Sequence, residues 1–470
     1  MRAHLPKLGD REFALLTAPS AASRTTVVIG ENGSGKSTLL RDLALTFRGL
    51  GKPERRRAAP AWSLLRDLQV TVDGQDLHRI DPTELRRLQF APADSGDLAR
   101  FLPSRVIALS FTPFDKFPYW EPPELRAPRT TSTEPSDEFY AYLGFKTGSG
   151  PASPRSRLLR TVDQLLFRPM DEENSGRVVA ILGAIGYAPS LRVAYTLPNL
   201  LRSALRDRDR SPGRSPPSMR DGPRLDSQIA LFERHPRLRE AFPRLVKDES
   251  LRVEATFTSG GAAVSFDPDA LRELQLGGVL SVSAVELQRR DTETQIDLLE
   301  LSSGELNILS GFLGLAVHLV DGCLVLIDEP ENSLHPAWQI RYAEMLEAVL
   351  SRFQGCHCII ATHSPLVVSG AAARGSTVVR LDQDPVAASA ADFAEESPDA
   401  TLVNAFDVVT SNNSYVRQLV LEGMTLIESG EAEGARAHKI AARLARIQKQ
   451  IPADDPILEV ATAVVARILG

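Results

Sequence analysis

The sequence predicts an α/β protein built on parallel strands, and three observations carry that expectation. A β-branched run, TTVVIG, ends in a glycine-rich turn and passes into KSTLLRDLALTF, whose Leu39, Leu40, Leu43 and Phe47 share one helical face. Two more short apolar runs, CLVLIDEP and CHCIIATHS, have the continuous character of strands buried on both faces, and the helical WQIRYAEMLEAVLSRF separates them. A long stretch of different character lies between the first run and the other two, so the sheet should be interrupted in sequence by an insertion.

Four stretches follow in order. Residues 1–135 form the N-terminal part of the core, with LQVTVDG as a strand and RVIALS as a buried one. Residues 136–275 read as a mostly helical insertion, or lid, with VVAILGAIGY and LPNLLRSALRD as its clearest amphipathic segments. The polar RDRDRSPGRSPPSMRDGP reads as a loop within it. LRVEATF and AAVSFD, joined by SGG, suggest a short hairpin. Residues 276–400 return to the α/β pattern and end on the strand TVVRLD. Residues 401–470 should hold three amphipathic helices, SYVRQLVLEGMTLIES, GARAHKIAARLARIQKQ and PILEVATAVVARIL.

At 470 residues the chain should form two or three structural units. Its net charge of -6 gives no overall electrostatic case for nucleic acid. The basic stretch Arg202 to Lys247 either contacts nucleic acid or is a solvated lid surface. No apolar run has the length of a bilayer span and the N-terminus lacks a signal-peptide pattern, so a cytoplasmic protein without membrane contact is expected. The three cysteines, Cys323, Cys356 and Cys358, fit a reducing compartment. Cys356-His357-Cys358 has ligand chemistry, but alternate residues of a strand point to opposite faces, so these read as strand residues.

GENGSGKS, Gly30 to Ser37, matches G-x-x-x-x-G-K-[ST] between a predicted strand and helix. Gly30, Gly33 and Gly35 let backbone N–H groups turn inward around a phosphate, and the helix N-terminus adds positive potential. Lys36 should reach the outer phosphates of a nucleotide and Ser37 should ligate Mg²⁺; Asn32, Ser34 and Thr38 complete the expected contacts of ATP. CLVLIDEP ends in two acids: Asp328 to hold Mg²⁺ and Glu329 as the general base that takes a proton from water. LSSGE, with Ser302, Ser303 and Gly304, aims hydroxyls and a helix N-terminus at an anion, although Ser302 with Glu305 is also good capping chemistry. His363, in ATHSP at the end of the next strand, resembles the switch histidine of ABC ATPases, which implies that it senses a γ-phosphate by hydrogen bonding.

The ordered set GENGSGKS, LSSGE, LIDEPENSLHP and ATHSP resembles ABC-type P-loop ATPases of the RecF-like and OLD-like branch. The resemblance covers the two α/β pieces, roughly half the chain, and implies an ABC-type P-loop sheet that hydrolyses ATP. It also implies a homodimer, or a larger assembly of such dimers, closed on two ATP molecules, with Ser302, Ser303 and Gly304 of one subunit capping the ATP of the other. Ser333 and Leu334 fall where that family's D-loop crosses the interface. Within the branch, RVIALSFTPFDKFPYW, YLGFKTGSG, SSGELNIL and VVTSNNSYVRQLV look most like ATPase components of antiphage systems such as Septu, retron-associated and PARIS ATPases. The role implied is sensor and scaffold for a separate effector, a nuclease or toxin. The alternative is a DNA-repair or chromosome-associated RecF/SMC-like ATPase that clamps DNA; a transporter motor is disfavoured by the long insertion and by ENSLHP. The family's glutamine after the strand that precedes the lid is missing from FTPFDKFPYW. Gln89 is a poor substitute, and Asp115 is either its replacement or a capping residue in a turn. The aromatic residues Phe111, Phe114, Phe117, Tyr119 and Trp120 read as packing between core and lid or as a partner surface. Asp382 and Asp384 read as a turn after the last strand.

Overall fold

The structure, a computed structural model, describes residues 2–5, 11–14, 25–50, 67–72, 76–80, 102–119, 139–147, 150–151, 153–167, 172–210, 222–247, 250–381, 397–406, 408–411 and 413–470. Gln89, Trp120, Asp382, Asp384 and the polar stretch 211–221 lie outside them. The chain begins with β1 (Arg2–Leu5), β2 (Arg11–Ala14), β3 (Thr25–Ile29), α1 (Lys36–Leu50), β4 (Asp67–Val72), β5 (Asp76–Ile80) and β6 (Val106–Ser110). It continues through β7 (Tyr140–Leu143), β8 (Lys146–Thr147), β9 (Gly150–Pro151), α2 (Pro154–Phe167), α3 (Glu172–Ala184), β10 (Tyr187–Thr196), α4 (Asn199–Arg210), α5 (Gly222–Arg234) and α6 (Pro236–Val246). Next come β11 (Leu251–Thr258), β12 (Gly261–Val264), α7 (Pro268–Leu276), β13 (Ser281–Arg289) and β14 (Gln295–Asp297). The second α/β piece holds α8 (Ser303–His318), β15 (Leu324–Asp328), α9 (Pro336–Leu350), β16 (His357–Ala361), α10 (Pro365–Ala372) and β17 (Thr377–Arg380). Four helices close the chain: α11 (Pro398–Phe406), α12 (Ser414–Glu428), α13 (Ala435–Ile447) and α14 (Ile457–Leu469).

Six strands form one parallel sheet in the order β17-β3-β16-β15-β6-β7. The apolar runs that suggested doubly buried strands do lie at its centre, with β3, β6 and β15 buried along their whole length. Alternation then assigns each side chain to a face. Val106, Ala108, Leu324, Leu326, Ile359 and Ala361 pack against Leu39, Leu40, Leu43 and Phe47 of α1. Ile107, Leu109, Val325, Ile327 and Ile360 turn the other way, onto Leu309, Phe312 and Leu313 of α8 and Tyr342 of α9. Thus α1 and α8 cover opposite faces of the same strands. Each covering helix has an identifiable start: α8 a capping box between Ser302 and Glu305, α10 a Ser364 N-cap followed by Pro365.

The 136–275 segment holds helices, α2 to α7, and the short hairpin, and adds strands that the sequence pattern did not announce. The hairpin is there, with Thr258 paired to Gly261 across its turn. It belongs to a five-stranded antiparallel sheet, β12-β11-β10-β13-β14. VVAILGAIGY is not one helix: α3 stops at Ala184, and Gly186, at φ +89°, turns the chain into β10. Tyr140–Leu143, within the same segment, is the edge strand of the parallel sheet. LQVTVDG is a strand as read, β4, but it joins a separate antiparallel sheet, β2-β1-β4-β5. The buried face of the inserted sheet, with Leu191, Val193, Tyr195, Val253, Phe257 and Leu287, is continuous with the main core through α2 and α3. The last three helices pack on one another through Val416, Val420, Ile440, Leu444 and Val464. No helix among the described residues is long and apolar enough to cross a membrane.

One charge in the insertion is misplaced by ordinary standards. Asp163 of α2 accepts from the Gln275 side chain at 2.8 Å, beside Tyr195, and burial pushes its carboxyl up to about 7. A raised folded-state value means that the folded chain keeps a proton the unfolded chain has released. Asp163 therefore destabilises progressively as pH rises from its unfolded value of 3.8 towards 7. Asp163→Asn keeps the acceptor and removes the ionisation. The variant should gain on the order of 1–3 kcal/mol over the parent near neutral pH and match it near pH 4, by chemical denaturation. A difference that does not change with pH would refute this assignment.

Candidate functional site

The parallel register brings the ends of four strands to one edge, where Asp328 stands beside Ser110 on one side and Ala361 on the other, with Val28 opposite Ala361. In an open α/β sheet this carboxyl edge is where ligands are held. The Gly30–Ser37 loop leaves β3 there. Gly33 and Gly35 have φ of +83° and +97°, conformations that any side chain would strain. Asn32 and Gly33 form the exposed tip, while Ser34, Gly35, Ser37 and Thr38 are half-buried. Lys36 is buried and its ammonium is turned into the loop. It donates to the carbonyls of Gly30 at 2.7 Å and Glu31 at 2.9 Å and to Ser34 Oγ at 3.3 Å. A cation fixed in a ring of backbone dipoles at a helix N-terminus is a phosphate cradle in its chemistry.

Asp328 ends β15 with only 2 % of its surface exposed. Burial pushes its carboxyl up to about 7; the Ser37 hydrogen bond opposes this, and the charges of Glu329, Asp115 and Glu331 add to it. Its Oδ1 is buried and has no hydrogen-bond partner among the described residues. A buried carboxylate oxygen without a donor, next to a serine hydroxyl, is the donor set of a hard divalent cation. Asp328 and Ser37 would hold Mg²⁺, which when bound offsets phosphate charge.

Glu329 follows at φ +49°, an uncommon conformation outside glycine, and its N–H is tied to the carbonyl of Ala361 at 2.9 Å. His363 is half-buried; its pKa is lowered, first by burial and then by the Lys36 charge, with Glu329 acting in the opposite sense. Lys36, Glu329 and His363 thus lie within electrostatic reach of one another. The sequence reading missed Glu331. Its Oε2 accepts from the Thr362 hydroxyl at 2.7 Å and its Oε1 from the His363 N–H at 2.5 Å, which straps the turn after β15 to the end of β16. The only signal in sequence was an acid three residues beyond Asp328.

LSSGE opens α8 on the face of the sheet opposite α1. Ser302 caps that helix, its hydroxyl 2.7 Å from Glu305 Oε2, so the capping reading holds. Ser302 and Ser303 remain exposed while Gly304 is buried. Asp115 also takes its structural reading: its Oδ1 accepts from the Phe117 N–H at 2.9 Å, and its carboxylate meets Lys146 and Tyr142. Phe111 packs on Tyr342, Phe117 lies in the core beside α1, Tyr119 meets Tyr142 edge-on, and Phe114 is exposed.

Residues 184–369 match the family model described as AAA domain, putative AbiEii toxin, Type IV TA system. The matched span takes in LSSGE, the Asp328–Glu329 strand end and His363, and begins after the phosphate loop. No curated protein matches the chain. The family match and the parallel sheet together support a domain of P-loop ATPase type.

A Cβ placed on Gly304 would lie 2.3 Å from the carbonyl oxygen of Ser333, which itself has φ +65°. That oxygen is backbone, not the far end of a flexible side chain. Gly304→Ala should therefore destabilise the fold by about 1–3 kcal/mol in chemical denaturation, through displacement of the 329–334 turn or of α8. An unchanged midpoint would mean that this contact is slack.

Proposed function

We propose that the chain is an ATPase of the ABC type that works as a dimer closed on two ATP molecules. The observation that carries this is the meeting of Lys36, Ser37, Asp328, Glu329 and His363 at one sheet edge, with the LSSGE turn on the opposite face. The start of α8 on the sheet face opposite α1 supports a role for this turn at another chain's phosphate loop. In this reading the Gly30–Thr38 loop and Lys36 bind the phosphates, and Glu329 accepts a proton from the attacking water. His363, held by Glu331 through its backbone, contacts the γ-phosphate. Ser302, Ser303 and Gly304 close over the partner's nucleotide.

The biological setting we propose is defence: a sensor and scaffold that controls a separate nuclease or toxin. It is supported by the resemblance to antiphage ATPases and by the matched family's description, which names a putative toxin of a toxin–antitoxin system. Plaque assays in cells carrying the gene with its neighbours test it. Plating efficiency should fall, and Lys36→Ala should restore it; no protection in any such context would reject the defence role.

Lys36→Ala should abolish tight ATP binding while leaving the fold intact. ATP affinity equal to the parent's would show that the site is elsewhere.

Glu329→Gln should bind ATP but hydrolyse it about 10²–10⁴ times more slowly, roughly 3–5 kcal/mol in barrier, because the amide cannot take the proton. The ATP-closed dimer should then accumulate in solution scattering. Adding Ser303→Arg should prevent closure by filling the space over the partner's γ-phosphate, with binding at the chain's own loop retained. Parental turnover in Glu329→Gln, or no ATP-dependent closure, would overturn the two-site mechanism.

A further inference from the structure

The segment that leaves β6 carries a cation that the mechanism above does not use. Lys116 is exposed, and its ammonium lies 3.0 Å from Thr38 Oγ1, in the first turn of α1. An exposed lysine touching a threonine is ordinarily a weak and mobile contact. Here the backbone on both sides of it is fixed. The Asp115 side chain is fully buried, accepts from the Phe117 N–H and pairs with Lys146 at 3.1 Å. Tyr142 donates to its other oxygen at 2.5 Å. Lys146 also donates to the carbonyl of Phe117 at 2.7 Å, and the Tyr140 hydroxyl to that of Pro118 at 2.7 Å. Phe117 is buried beside Leu39 and Leu40 of α1. With the residues before and after it held inward, Lys116 is presented outward, over the helix terminus where the phosphate loop ends. Its position is set by the core rather than by its own hydrogen bond.

We propose that Lys116 is a second phosphate-binding cation of this site, which exchanges the Thr38 hydroxyl for the phosphate chain of a bound nucleoside triphosphate. This rests on the nucleotide reading of the Gly30–Thr38 loop. Lys36 approaches the phosphates from inside the loop, whereas Lys116 approaches from the solvent side. A polyanion on a helix N-terminus gains from charge on both sides, and a preorganised ammonium gives up little freedom on binding. The same segment continues from β6 towards the inserted region, so the ligand would also hold down the start of that connection.

The test is equilibrium binding of ATP, ADP and adenosine to the full chain, the parent beside Lys36→Ala, Lys116→Ala, Lys116→Arg and Lys116→Glu. Lys116→Ala should weaken ATP binding about five- to tenfold, Lys116→Arg should stay near the parent, and Lys116→Glu should lose more than alanine does. Adenosine binding and the melting temperature should not change, and added salt should narrow the gap between parent and Lys116→Ala. Parental ATP affinity in Lys116→Ala, while Lys36→Ala has lost binding, would make Lys116 a surface lysine and overturn the inference alone. Equal losses for ATP and adenosine would also overturn it, because they would show a folding effect. A parent chain that binds no ATP would remove the nucleotide reading and this inference together.

Discussion

A buried carboxylate at the end of a central strand is the constraint on which the candidate site depends. Asp328 sits between the ends of β6 and β16, hydrogen-bonded to Ser37 and with its Oδ1 lacking a partner among the described residues. Burying a charge without full compensation costs several kcal/mol, and the raised pKa is the measure of that strain here. The parallel register leaves it nowhere else to point. Every neighbouring strand delivers its following loop to the same edge, and those loops bring Lys36, Ser37, Glu329 and His363. A divalent cation would relieve that strain, and one that also met phosphate oxygens would satisfy both sides at once.

The insertion is tied to that edge by a second buried charge. Arg157 of α2 is 3 % exposed and lies between the rings of Phe111 and Phe145, 5.2 Å from each centroid. Its Nη1 donates to the carbonyl of Ser110 at 2.9 Å, the residue in register with Asp328. Burial lowers its pKa to about 10, so it stays protonated near neutral pH. This guanidinium, its Nη2 buried and without a hydrogen-bond partner among the described residues, keeps its two aromatic faces and one carbonyl only while α2, the end of β6 and Phe145 hold their spacing. The core shared by the inserted sheet and the parallel sheet points the same way: the insertion packs as one unit with the strands that end beside Asp328.

What could be read in the sequence was local. TTVVIG, CLVLIDEP and CHCIIATHS declare doubly buried strands through continuous apolar character, and the phosphate loop and the acid pair follow them without a gap. What could not be read depends on distant partners. The β10 run YAPSLRVAYT has its alternation broken by Pro189 and Ser190, and its role appears only when β11 and β13 pair with it on either side. The helix-to-strand change at Gly186 is hidden because VVAILGAIGY stays apolar across it. Glu331 looks like a solvated turn residue until Thr362 and His363 arrive from another strand. Tyr140–Leu143 is too short to announce itself as an edge strand.

The turn after β15 gives these pieces a mechanical relation. It starts at Asp328 and ends with the buried Leu334, and both Glu329 and Ser333 have positive φ, each at a cost on the order of 1–3 kcal/mol. Such a shape persists only where its surroundings over-determine it. Here the Glu329 N–H is held by Ala361, Glu331 is strapped to Thr362 and His363, and the N–H groups of Asn332 and Leu334 return to the carbonyls of Glu329 and Glu331. At its far end the Ser333 carbonyl occupies the space a Cβ on Gly304 would need, in the first turn of α8. One rigid turn therefore joins the acid edge of the sheet to the LSSGE segment on the opposite face. The positive φ at Glu329 and Ser333 is tolerated because the turn is held at these points along its length.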